Sequence, residues 1–314
     1  MAPASSPCDN CGIPATFQCF GCKDAPQYEH GDVRNAFYCS SDCQKEHRPQ
    51  HKAYCKIMAT RKKLLRVASV CKAAVLGYRE LEFDVELSKI ELRDNTLYLY
   101  DNQKDLSVPP KRGPFPEHLT SNAQHKEAAL SWFFCFASQA LLSVLLPKLL
   151  ADIPCKIECM DMRITKPLIV TQVIPGPDSS PDVLSLDAAE GHHVAIKISL
   201  FPSKESWVLD VTSAQYGFKE PLETYPKYVA ERQCVGIELD PYNFTVTSDV
   251  DFILNDPLGT AVRQKMFQAE LPSRRRFAAF VDTGVDKGIL DGSPSEFAKK
   301  LEAFKLALKL HMCM

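Results

Sequence analysis

Residues 38–55 read YCSSDCQKEHRPQHKAYC, three cysteines and two histidines in eighteen positions. Together with the sulfurs upstream they make four pairs: Cys8-x2-Cys11, Cys19-x2-Cys22, Cys39-x3-Cys43 and His51-x3-Cys55. Zinc takes four tetrahedral nitrogen or sulfur donors, and two donors separated by two or three residues reach one ion from a knuckle turn or from one turn of helix. Two pairs close one site, so eight donors predict two zinc ions. Both shells are then full and leave no position for a reactive water, which makes the sites structural. A disulfide framework fits poorly, because seven cysteines is an odd number and His51 would have no part in it. An iron–sulfur cluster fits less well still, given a histidine donor and pairs spread over this length of chain.

The composition agrees with that assignment. Of thirteen cysteines, seven precede residue 56 and six are scattered over the rest of the 314-residue chain. The opening MAPASSPCDN has neither the basic start nor the apolar stretch of a secretory signal. The chain is therefore expected to be intracellular, cytoplasmic or nuclear, where clustered cysteines hold metal more often than they pair. With 45% hydrophobic and 24% charged residues, it has ordinary globular usage and length for two domains. Net charge is -2, yet residues 44–66 hold eight Lys/Arg against the single acid Glu46. That run reads first as a solvated helix face, and nucleic acid is not the expected partner.

The register Tyr38-Cys39, Cys43-Gln44, His51-Lys52 and Cys55 resembles the MYND zinc finger, over residues 8–55. The resemblance implies a cross-braced arrangement in which Cys8, Cys11, Cys39 and Cys43 share one zinc while Cys19, Cys22, His51 and Cys55 share the other. Spacing alone does not choose between cross-braced and sequential pairing. The resemblance also implies a protein-interaction module that takes short proline-containing peptides over a surface including the position of Gln44 and a nearby aromatic. Two departures stand out. Sixteen residues, KDAPQYEHGDVRNAFY, separate Cys22 from Cys39 and predict an extra loop, whose His30 is read as a loop residue. His47-Arg48 occupies the place of the family's Asp-Trp, which removes the aromatic of the peptide contact. His47, one helical turn before His51, is read as a surface residue outside the metal shell.

Beyond the finger the pattern is that of an α+β domain. A helix over 57–80 is expected, with Cys71 on its apolar face, followed by two strands in FDVELSKIELRDNTLYLY turned by Asp94-Asn95. A proline-rich loop over 103–116 then separates a connecting segment (57–116) from the main domain (117–314). Residues 128–146, AALSWFFCFASQALLSVLL, are nineteen positions without a charge. That is long enough for a membrane span, but Gln139, three serines, Pro147 and the lack of a second such segment favour a buried core helix, started by Ser121 or Asn122. Strands are expected over 156–164, 168–174, 192–200 and 207–212, with a turn-rich PGPDSSPD stretch (175–182) among the connections. Helices are expected around 258–269 and 294–311, and the arginines at 274–276 are weak evidence for a nucleic-acid patch.

One further order of residues has chemical content. Cys135 in a helix, His192-His193 opening a strand and Asp210 ending the next resemble the layout of transglutaminase-like and papain-like thiol enzymes. There a histidine holds the thiol as thiolate and an acid fixes the imidazole. Alternation along the strand puts His192 with Val194, Ile196 and Ile198, making it the expected inward residue. Cys135, by contrast, falls in mid-helix among Trp132, Phe133, Phe134 and Phe136, a setting for a packing thiol. No glycine-rich phosphate loop occurs, and the asparagine–histidine cofactor motif of SET-domain methyltransferases is missing. The sequence thus predicts a two-zinc finger that acts as a protein-interaction adaptor, with a thiol enzyme using Cys135, His192 and Asp210 as the alternative.

Overall fold

The computed structural model describes residues 6–180, 185–188, 191–255 and 260–314. The chain divides into two compact units, Met1–Val67 and Ala68–Met314. In the first, short strands β1 (Ser6–Pro7) and β2 (Pro14–Ala15) pair with each other, as do β3 (Phe17–Gln18) and β4 (Phe37–Tyr38). Helix α1 (Ser41–Leu81) begins right after this second ribbon and continues into the second unit. The helix expected over 57–80 is therefore the C-terminal part of a longer one that also carries His51 and Cys55. Small buried residues, Ala15, Ala25 and Ala36, with Tyr38 and Met58, make up most of the finger's interior beside the cysteines.

The second unit is α+β. Strands β5 (Leu87–Arg93) and β6 (Thr96–Asp101) form the expected hairpin. Asp94 and Asn95 both take left-handed φ values, 46° and 66°, as a two-residue turn matched to strand twist requires. β6 also pairs in parallel with β8 (Val170–Pro175), which pairs with β9 (Leu186–Asp187). The larger sheet is antiparallel throughout, in the order β12 (Leu222–Thr224), β11 (Ser206–Leu209), β10 (His193–Leu200), β7 (Cys155–Ile164), β13 (Cys234–Pro241). Helices α4 (Tyr225–Arg232), α5 (Ser248–Leu254), α6 (Ala261–Gly284) and α7 (Pro294–Met312) lie in the same unit. Of the stretches expected from sequence, residues 181–182 of the PGPDSSPD loop and 258–259 of the helix around 258–269 lie outside the described residues.

Two corrections bear on the site. Residues 128–146 are not one helix: α2 (Ala123–Ser131) and α3 (Cys135–Leu149) meet at 89°. Asn122 caps α2 by accepting from the backbone N–H groups of Gln124 and His125. The break follows from Phe133, whose φ of 48° lies in the left-handed region that a bulky side chain disfavours. Pro147 sits inside α3 without ending it. Among the described residues no single helix is long and apolar enough to cross a membrane, although the bent α2–α3 pair passes that test by length and composition. Leu141, Leu142, Leu145 and Leu146 of α3 are wholly buried, which is the position of a core helix.

Two of the three arginines of 274–276 are engaged in ion pairs. Arg274 is fully buried on α6, donating to Glu270 (2.8 Å) and Asp249 (2.6 Å), and Tyr78 donates to the same Glu270 (3.0 Å). Arg276 pairs with Glu82 at 3.3 Å.

Candidate metal centres and a thiol site

Eight side chains of the finger converge as two tetrads, Cys8, Cys11, Cys39, Cys43 and Cys19, Cys22, His51, Cys55, with the donor atoms of each within 4.8 Å of one another. The assembly is cross-braced, with pairs one and three in one tetrad and pairs two and four in the other. The backbone explains this. The Asp9 N–H donates to the Phe37 carbonyl at 2.9 Å and so sets the first pair beside Cys39, while α1 presents Cys43 near its start and His51 and Cys55 about two and three turns further on.

The donor spacing fits zinc. Bonds of about 2.3 Å to sulfur and 2.0–2.1 Å to nitrogen give tetrahedral edges of about 3.8 Å between sulfurs and about 3.5 Å from sulfur to nitrogen. Observed edges are 3.5 Å for Cys11–Cys39, 3.4 Å for Cys39–Cys43 and 3.7 Å for Cys43–Cys11. In the second tetrad they are 3.7 Å for Cys19–Cys55, and 3.2 and 3.3 Å from His51 Nε2 to Cys22 and Cys19. Each sulfur pair is far beyond disulfide length, and every cysteine is free. Gly21 contributes by having no side chain, since a Cβ there would collide with Cys55 Sγ. Each tetrad thus offers a complete shell for one structural zinc ion.

His47 lies beside the second tetrad but outside it. Its Nδ1 is 3.0 Å from the buried Tyr38 hydroxyl, and its ring stacks on that of His51 at 5.8 Å. It is half-buried and hydrogen-bonded, more than the surface residue expected from spacing. His30 is exposed. The extra loop is tied down from within the finger: Arg61 pairs with Asp32 at 2.6 Å, and Tyr54 donates to the Asp32 carbonyl at 3.2 Å.

The larger unit holds a second arrangement, and it differs from the sequence expectation in one residue. His193, not His192, is the inward histidine. His193 is wholly buried, whereas His192 is exposed and pairs with Asp161 at 2.8 Å. The alternation argument fails because β10 is covered on both faces: His193, Val194, Ala195 and Ile196 are all buried. His193 donates through Nε2–H to Asp210 Oδ2 at 2.8 Å. Asp210, 2% exposed, accepts as well from the Tyr228 hydroxyl (2.7 Å) and from the backbone N–H (3.1 Å) and hydroxyl (3.3 Å) of Thr212. Strand pairing makes the juxtaposition, since Ile196 faces Leu209 and the strand ends carrying His193 and Asp210 come together.

Cys135 is the first residue of α3, after the break at Phe133, and is half-buried. Its sulfur therefore sits at the positive end of the helix dipole rather than in mid-helix. Burial opposes protonation of His193, but the charge and hydrogen bond of Asp210 outweigh it, with Cys135 acting in the same direction, and push its pKa up to about 10. Burial likewise works against the charge on Asp210, and His193 beside it holds the carboxyl below its usual range.

Spacing gave no sign of Gln215, which is 2% exposed. Its side-chain oxygen accepts from the Phe133 N–H at 3.2 Å and its nitrogen lies 3.5 Å from His193 Nδ1, so one amide links the break before Cys135 to the imidazole. Tyr216 meets the His193 ring edge-on at 5.0 Å.

Comparison with curated proteins and with solved structures finds no match for the chain. The family model of the MYND finger matches residues 8–55, first ligand to last. With eight donors in that register, paired one-with-three and two-with-four, residues 8–55 form a MYND finger.

Proposed function

We propose that this chain is an interaction protein of the cytoplasm or nucleus that docks a partner protein through its MYND finger. The completed pair of tetrads carries this reading. All eight donors are committed, so zinc here stiffens a surface and performs no chemistry. MYND fingers generally mediate protein–protein contacts, and thiolate-bound zinc suits a reducing compartment. The test is affinity capture with the zinc-loaded full chain against Cys39→Ser. Partners retained equally by both would remove the finger from the interaction.

The His193–Asp210 pair favours a second role, carried by the larger unit: acyl transfer through Cys135. Its thiolate would attack a carbonyl carbon, and the His193 imidazolium would protonate the departing amine, leaving a thioester. An incoming amine or water would then give its proton to His193 while attacking the thioester, and Cys135 would leave as thiolate. Asp210 keeps the imidazole oriented and charged, the part an acid plays in such triads. The test is alkylation of the native protein with iodoacetamide, read by peptide mass. Selective labelling of Cys135 that is lost in His193→Ala supports this role. A Cys135 no faster than the buried Cys71 excludes it.

A further inference from the structure

On the finger, a cavity of about 500 Å³ opens beside the second tetrad, floored in part by Cys19 and Cys55 and rimmed by Lys45, Arg48, Lys52 and Lys56. The four cations are spaced at i, i+3, i+7 and i+11 along α1, which sets them on one helix face. No Asp or Glu lines the cavity among the described residues. Lys45 has the exposed Asp42 at 3.4 Å, whereas Arg48, Lys52 and Lys56 make no ion pair among the described residues. Three thiolates and a neutral imidazole around one zinc ion leave that shell with a single negative charge, which offsets about one of the four cations. A surplus of positive charge therefore surrounds a concavity of the size that takes a few side chains.

We infer that this cavity receives an acidic segment of the partner protein. The inference rests on the docking reading above and supplies the partner's chemistry. Arg48 stands where the family resemblance calls for an aromatic, and a guanidinium presents a planar fork to a carboxylate instead of an apolar face to a proline ring. The charge arrangement favours a peptide over nucleic acid. A nucleic-acid surface is an extended basic track on a basic domain, whereas this chain has a pI near 6.5, Arg274 and Arg276 of its other arginine cluster are held in ion pairs, and these four cations gather around one concavity.

The experiment is selection of a random twelve-residue phage-displayed library on the zinc-loaded full chain, alongside Arg48→Glu/Lys52→Glu and Cys39→Ser. The inference expects peptides rich in Asp and Glu on the wild type. The best of these, synthesised, should bind the double variant at least about tenfold more weakly and weaken with added salt, while the double variant keeps its zinc. Enriched peptides that lack acids and bind the double variant equally overturn the acidic assignment and leave the docking reading standing. No enrichment over Cys39→Ser overturns both. Single-stranded DNA that outcompetes the selected peptide, and loses that ability with the double variant, assigns the surface to nucleic acid and overturns the inference as well.

Discussion

Cysteine and histidine are brought together twice in this molecule, by opposite means. In the finger, the side chains that meet come as pairs with two or three residues between their members, and the metal they hold supplements an interior of mostly alanines. In the larger unit, Cys135, His193 and Asp210 come from a helix start and two strand ends, and they meet because Leu, Ile, Met and Trp side chains have already packed the helix and sheet. The first arrangement supplies the stability of its surroundings and the second draws on it. Each should fail in its own way.

The largest expected effect is on the finger. Metal binding contributes about 10–16 kcal/mol of apparent free energy in zinc-finger peptides, and an interior of small residues offers little to replace it. His51→Ala, or zinc chelation, should open residues 8–55 to protease while the core of Ala68–Met314 stays resistant, as read by limited proteolysis and mass spectrometry. His47→Ala, outside the tetrad, should keep both zinc ions by elemental analysis. Simultaneous loss of both units would erase the distinction drawn above.

Asp210→Asn comes next. Removing one partner of a buried charge pair typically costs about 3–5 kcal/mol, because the remaining charge is left uncompensated. Urea unfolding of the larger unit should move to lower concentration by that measure, with zinc content unchanged. The pH dependence sharpens the point. The pKa of His193 is raised on folding, so its contribution is complete below the unfolded imidazole value of about 6.5. That contribution is lost as pH rises through about 10. Asp210→Asn should flatten stability over this interval.

A smaller effect is expected for Gln215→Ala. It removes one acceptor and one amide contact from a buried site, a loss of about 1–3 kcal/mol. Its signature is a displaced pH profile of Cys135 alkylation, which Gln215→Asn, one methylene shorter, should not restore. Least costly should be Asn122→Ala, which removes the α2 cap for about 1 kcal/mol by thermal unfolding.

The same contrast explains what could be read from sequence. Ligand spacing is local, so all eight donors and the two-site assignment are visible in residues 8–55, and the family register supplies the cross-bracing. The Asp94-Asn95 hairpin is visible for the same reason, because a two-residue turn declares its own backbone. The thiol site is not local. Nineteen uncharged residues give no sign of a break, since Trp132, Phe133 and Phe134 are as apolar as the helices on either side. Nor could alternation choose between His192 and His193 once β10 was covered on both faces. Gln215 is polar, and its burial depends on the strand pairing that brings Asp210 to His193.

Phe133 has a consequence for how such a chain changes over generations. Its left-handed backbone costs a bulky residue about 1–3 kcal/mol that glycine would not lose. Selection for folding alone would drive this position to Gly or Asn. Its ring, half exposed, rests near Gly191 just ahead of the histidine pair, so replacing it by glycine sets a gain in stability against whatever that ring does beside Cys135. A lineage that has kept the sulfur but let this aromatic relax to glycine would be one in which the neighbouring thiol no longer matters.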